Sequence, residues 1–213
     1  MQTTVADHPL IAHKLTALRD SSTDTPTFRR LAYELTTLLG YEATRNLRVE
    51  PVEVITPIAT ADGVRLARPG ALLVPILRAG IGMLDGLAGL LPQADIGFVG
   101  LVRDEETLVA SSYATRLPTD LTGRDTFILD PMLATGGSME TAVKMVLDRN
   151  AASVTAVCLV AAPEGLSRLA AEFPDDIGVP VRVVTGSVDP QLNDKGYIVP
   201  GLGDAGDRLF GLI

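Results

Sequence analysis

A chain of 213 residues, 46% of them apolar, has room for one domain with a sizeable core. Its 18 basic and 26 acidic residues give a formal charge of −8, and no block of like charges stands out. That balance disfavours nucleic-acid or anionic-membrane binding, which need a positive face, but it leaves room for a local positive pocket.

The first residues, Met1 to Asp7, show no basic region followed by an apolar one, so no signal peptide is expected. No apolar run approaches the length of a membrane span. Asp7-His8-Pro9 reads as a helix start with Asp7 as cap, followed by Ile11, Leu15 and Leu18 at helical spacing. His8 and His13 are the only histidines, and their spacing does not make a metal site. Thr25-Pro26 opens a second helix with Phe28, Leu31, Leu35 and Leu38 on one face. Tyr41 to Arg45 can continue it. Pro51 to Ile58 reads as a strand, and its prolines suggest an edge.

Gly70 to Leu77 is a buried strand that runs into Arg78-Ala79-Gly80-Ile81-Gly82, and a helix follows to about Leu91. The glycines invite a dinucleotide reading, but Asp85 stands where the third glycine belongs. Arg78, at a strand end before a glycine turn, is a candidate phosphate ligand. The plainer reading is a solvated arginine. Ile96 to Val102 is the next strand and leads to Arg103. Residues 104–120 lack a clear period and read as a long loop, of the kind that forms lids.

Thr126 to Leu129 is a short apolar strand, and Met139, Ala142, Val143, Val146 and Leu147 mark one face of a helix. Between them lies Asp130-Pro131-Met132-Leu133-Ala134-Thr135-Gly136-Gly137-Ser138. A strand, a glycine turn and a helix start make an anion cradle, because free N–H groups and the helix dipole both point into the turn. Thr135 and Ser138 add hydroxyl donors. No lysine follows the glycines, so this is not a nucleotide P-loop.

Ala152 to Ala162 is a further strand and holds the single cysteine, Cys158. A lone thiol excludes an intrachain disulfide and suits a reducing, cytoplasmic compartment. Pro163 to Phe173 is a helix with Leu166 and Leu169 inward, and Val179 to Val184 a strand. The alternation indicates a single α/β domain over residues 1–213, with a central, mostly parallel sheet flanked by helices. In the tail, Gly201, Gly203 and Gly206 match a dinucleotide fingerprint, but too little chain follows to build the unit. So much glycine suggests a loop that offers its backbone to a ligand.

Four motifs occur in order: Pro75 to Gly80, Asp130 to Ser138, Ala161-Ala162-Pro163-Glu164-Gly165, and Gly196 to Arg208. With them the chain resembles the uracil phosphoribosyltransferase family, a branch of the type I phosphoribosyltransferases, over essentially its whole length. Many type I members carry two adjacent acids before the phosphate turn. Here Pro131 follows Asp130, which fits the uracil branch rather than the purine or orotate enzymes.

The resemblance implies transfer of a phosphoribosyl group from 5-phosphoribosyl 1-diphosphate (PRPP) to uracil, giving UMP and diphosphate, with Mg²⁺ held mainly through the donor. It implies that Arg78, Arg103 and residues 130–138 (Asp130, Pro131, Met132, Leu133, Ala134, Thr135, Gly136, Gly137 and Ser138) bind PRPP. Ile198, Gly203, Asp204 and Ala205 would line the uracil site, with Asp204 touching PRPP as well. Asp130, Arg78, Arg103 and Asp204 are thus the candidate catalytic set. It also implies a C-terminal base-binding hood, an N-terminal helical extension and, in the wider class, a cis peptide after Leu77. A homo-oligomer and activation by GTP are carried by relatives. No evident general base for uracil N1 stands in these motifs. Two other readings compete: an RNA-binding regulator of the same fold, and a phosphoribosyltransferase for another base.

Overall fold

In the computed structural model of the chain, residues 1–103 and 110–211 are described. Strand β1 (Gln2–Val5) precedes helices α1 (Pro9–Arg19) and α2 (Thr25–Ala43). An antiparallel arm follows, formed by β2 (Val49–Ile55) and β3 (Thr60–Leu66). Next come β4 (Leu72–Leu77), α3 (Ile81–Ala88), β5 (Asp95–Ile96), β6 (Phe98–Arg103) and β7 (Ala110–Arg116). The middle of the chain supplies β8 (Asp125–Leu129), β9 (Met132–Leu133), α4 (Gly137–Leu147), β10 (Ser153–Cys158), β11 (Val160–Ala161) and α5 (Pro163–Glu172). The last elements are β12 (Val181–Thr185), β13 (Gln191–Leu192), β14 (Ile198–Val199) and α6 (Ala205–Phe210).

Among the described residues the central sheet runs β1-β12-β10-β8-β4-β6-β7, with β5 also beside β4. Its pairings are parallel except β6 with β7. Successive strand residues point to opposite faces, and the two faces carry two separate cores. Leu73, Phe127, Leu129, Val157 and Val184 pack against α1, α2 and α3 through Leu18, Phe28, Leu35 and Leu87. Leu72, Val74, Ile128, Ala156, Cys158 and Val183 pack on the other face against Met139, Val143 and Val146 of α4 and Leu169 of α5. The sheet is therefore flanked by helices on both sides, as the strand–helix alternation implies.

Several local expectations change. His8, not Asp7, caps α1, because its Nδ1 accepts from the Leu10 N–H at 3.1 Å. Leu39 rather than Leu38 is fully buried on α2. The Pro51 strand has a partner, β3, whose Ala-Asp-Gly stretch hid it from the sequence. Part of the long loop read over residues 104–120 is strand: β7 pairs antiparallel with β6, from Phe98 opposite Arg116 to Arg103 opposite Ala110. The lid expectation for residues 104–109 lies outside the described residues.

Candidate active site

The chain leaves β4 for β6 on one side, then returns to β8 on the other and continues to β10 and β12. The winding thus reverses between β4 and β8. In such sheets ligands bind outside the carboxyl ends of the strands at that reversal. Arg78 follows β4 across a cis Leu77–Arg78 peptide, the isomer the resemblance implied. Asp130 follows β8. Both line a cavity of about 740 Å³, within the range of small-molecule sites.

The turn after Asp130 is held from behind. The Pro131 carbonyl accepts from the N–H groups of Leu159 and Val160, both at 3.1 Å. β9 then pairs in parallel with β11, Leu133 opposite Ala161. Gly136 takes φ 82°, a left-handed conformation that a side chain would oppose, and turns the chain into α4. Gly165 at the start of α5 lies so close to the turn that a Cβ there would stand 2.4 Å from the Ala134 carbonyl oxygen.

The N-terminus of α4 has no side-chain cap, so its first N–H groups suit an anion. The Thr135 hydroxyl is buried and finds no hydrogen-bond partner among the described residues. A buried orphan donor beside uncapped amides is what a phosphate oxygen would satisfy. Glu140, in the first turn of α4, would oppose an anion, but it bonds Arg168 at 2.5 Å and Lys144 at 2.7 Å. Burial pushes its pKa up, and the Lys144 and Arg168 bonds outweigh that and hold it below the usual carboxylate value. Cys158 sits on β10 close by. Burial first, and then the Asp130 charge, push its thiol pKa well up, so it stays an inert core residue.

The opposite wall comes from the C-terminus. β13 and β14 form a hairpin whose turn is fixed by Asn193, whose Oδ1 accepts from the N–H groups of Lys195 and Tyr197, each at 3.0 Å. Glu164 ties this hairpin to α5, accepting the Leu192 N–H at 2.9 Å. Asp204 caps α6 by accepting from the Asp207 N–H at 2.9 Å. The Ile198 side chain is 4% exposed and belongs to the core, so this residue offers the cavity little beyond its backbone.

One cavity thus gathers Arg78, Asp130, Pro131, Met132, Ala134, Ser138, Ile198, Gly203, Asp204 and Ala205 from the sequence-derived set. Leu133, Thr135, Gly136 and Gly137 complete the turn behind it. Arg103 closes β6, and its side chain lies outside the described residues. The sequence reading missed Lys195 and Tyr197, which also line the cavity. Lys195 stands one residue before the glycine-rich tail, and the Asn193-Asp194-Lys195-Gly196 turn was its available signal.

A family profile described as uracil phosphoribosyltransferase matches residues 5–212. The chain belongs to the uracil phosphoribosyltransferase family. A uracil phosphoribosyltransferase from Nocardioides sp. is 62% identical over 213 residues, covering 100% of both chains. One from Streptomyces avermitilis is 61% identical over 211 residues, covering 99% of both. Among solved structures, the AQ2163 protein from Aquifex aeolicus superposes with a TM-score of 0.92 at 42% identity, covering 99% of each chain. A hypoxanthine-guanine phosphoribosyltransferase from Bacillus anthracis reaches a TM-score of 0.51 at 11% identity, over 78% of this chain and 80% of that one. That distant likeness shows the shared fold alone.

Proposed function

We propose that this chain transfers the phosphoribosyl group of PRPP to N1 of uracil, releasing diphosphate and forming UMP. Family membership over nearly the whole chain carries the reaction class. The meeting of an Asp130-led anion cradle with the glycine-rich 198–206 backbone in one cavity is the structural observation that supports it.

In this reading the amides of Ala134 to Ser138 and the Thr135 hydroxyl hold the 5′-phosphate. Asp130 accepts from the ribose hydroxyls. As the C1′–O bond to diphosphate breaks, positive charge grows on the ribose ring and negative charge on the leaving group. Asp130 is placed to stabilise the first charge, and Arg78 and Arg103 the second. The new bond runs from uracil N1 to C1′ as the N1 proton leaves to the released diphosphate or water, with the base held against Ile198, Gly203, Asp204 and Ala205.

Mg²⁺ fits the donor set, because Asp130 and Asp204 bring oxygen ligands to one cavity. Such an ion is held largely by substrate oxygens and water. When bound it neutralises charge on the diphosphate. We also place the enzyme in the cytoplasm as a homo-oligomer open to GTP activation, on the family resemblance. The direct test is UMP and diphosphate formation from uracil and PRPP. Turnover with other bases but not uracil would favour a different base, and salt-dependent RNA binding without turnover would favour the regulator.

A further inference from the structure

Asp189 is 3% exposed and carries a charge, a combination that persists only when the charge is paired and hydrogen-bonded. Its partner is Arg19, the last residue of α1. The two form a bidentate fork, with Nη1 to Oδ2 and Nη2 to Oδ1, both at 2.6 Å. Ser187 bridges the same fork, accepting from Arg19 at 3.1 Å and donating to Asp189 at 2.9 Å.

The fork closes on one residue of the glycine-rich loop. The Gly201 N–H donates to Asp189 Oδ2 at 2.8 Å, and the Gly201 carbonyl accepts from Arg19 Nη1 at 2.7 Å. Both backbone groups of a single residue are thus gripped by one ion pair. The position admits only glycine, since φ is +60° and a Cβ would stand 2.2 Å from the Ile198 carbonyl oxygen. Gly201 lies between Ile198 and Gly203, two of the residues proposed to face the base.

Asp189 is also tied to the donor side. Its N–H donates to the Ala161 carbonyl at 2.8 Å, and Ala161 pairs with Leu133 in the phosphate turn. One residue therefore sets the distance between the loop that faces the base and the turn that faces the donor.

We propose that Arg19 and Asp189 are positioning residues for base transfer: through Gly201 they fix the base-binding loop relative to the phosphate turn. The proposal rests on the functional reading above. Neither side chain lines the cavity, so neither touches substrate. Their effect falls on alignment of uracil N1 with C1′, and misalignment by about an ångström costs roughly a hundredfold in rate.

The test uses Arg19→Lys and Asp189→Asn in the full chain, with uracil and PRPP varied separately. Lysine keeps the charge but lacks the planar fork, so it cannot hold Asp189 and the Gly201 carbonyl together. Both variants should lose roughly ten- to a hundredfold in kcat/KM for uracil, while the KM for PRPP and its affinity by calorimetry stay within about threefold. Should Asp189→Asn fail to fold, Arg19→Lys decides by itself, checked by far-ultraviolet circular dichroism. A kcat/KM for uracil near the parent value in the folded variant would overturn the proposal. So would equal losses on the donor and base sides, the signature of general loosening. UMP formation by the parent protein in the same assay tests the functional reading separately.

Discussion

Asp130 and Asp204 reach one cavity from opposite walls, and only Asp130 stands in the strand–turn–helix that announces an anion site. In the proposed mechanism Asp130 meets charge that exists only as the ribose bond breaks. Asp130→Asn should therefore lower kcat on the order of 10²-fold with a much smaller change in PRPP affinity. Steady-state kinetics with calorimetric donor binding checks this, and equal losses in the two would reduce Asp130 to a binding group. Gly136 carries a different expectation than its place in a phosphate turn suggests. Its missing Cβ points at the Gly165 backbone, 3.0 Å from the carbonyl oxygen, and φ is +82°. Gly136→Ala should then destabilise the fold by about 1–2 kcal/mol as well as weaken PRPP binding. A thermal melt that matches the parent protein would contradict that. The cradle was legible in the sequence because glycine, hydroxyl and acid sit within nine positions. Arg19 and Asp189 were not legible, because each acts through partners far away in the chain.

At the scale of elements, sequence pattern marked those whose burial is one-sided or complete. β4, β8, β10 and β12 are apolar runs because helices cover both faces of the sheet. α1 and α2 declare themselves by Ile11, Leu15, Phe28 and Leu35 at helical spacing. The missed elements lie at edges or off the sheet, where half-exposed polar residues erase the signal. Among the described residues β1 (Gln-Thr-Thr-Val) pairs only with β12, and β3 only with β2. β7 is the informative miss, since Ser111-Ser112-Tyr113 reads as loop but adds an antiparallel edge to β6. Its amides facing β6 should be protected from hydrogen exchange without any ligand. Fast exchange throughout residues 111–116 in the free protein would remove the strand.

Across the whole molecule, the first helix and the last loop converge on the wall of the cavity proposed to hold the base. Arg19 holds the Gly201 carbonyl at 2.7 Å, and Arg208 holds the Leu202 carbonyl at 2.9 Å while stacking 4.4 Å over the Phe28 ring. Two carbonyls of the loop are thereby occupied, and in the proposed reading the backbone of Ile198 and of residues 203–205 is left to meet the base. Uracil presents an acceptor at O4 and a donor at N3, and cytosine reverses both. A backbone locked at this many points cannot turn to suit the reversed pattern. Ile198→Ala should cost stability, about 2–5 kcal/mol for a buried branched side chain, yet leave base choice unchanged. The central claim is tested most directly by product formation with PRPP and either uracil or cytosine, each over a range of concentrations. The account predicts UMP from uracil with a kcat/KM on the order of 10³-fold or more above that for CMP from cytosine. Comparable rates with the two bases, or no UMP at all, would contradict it.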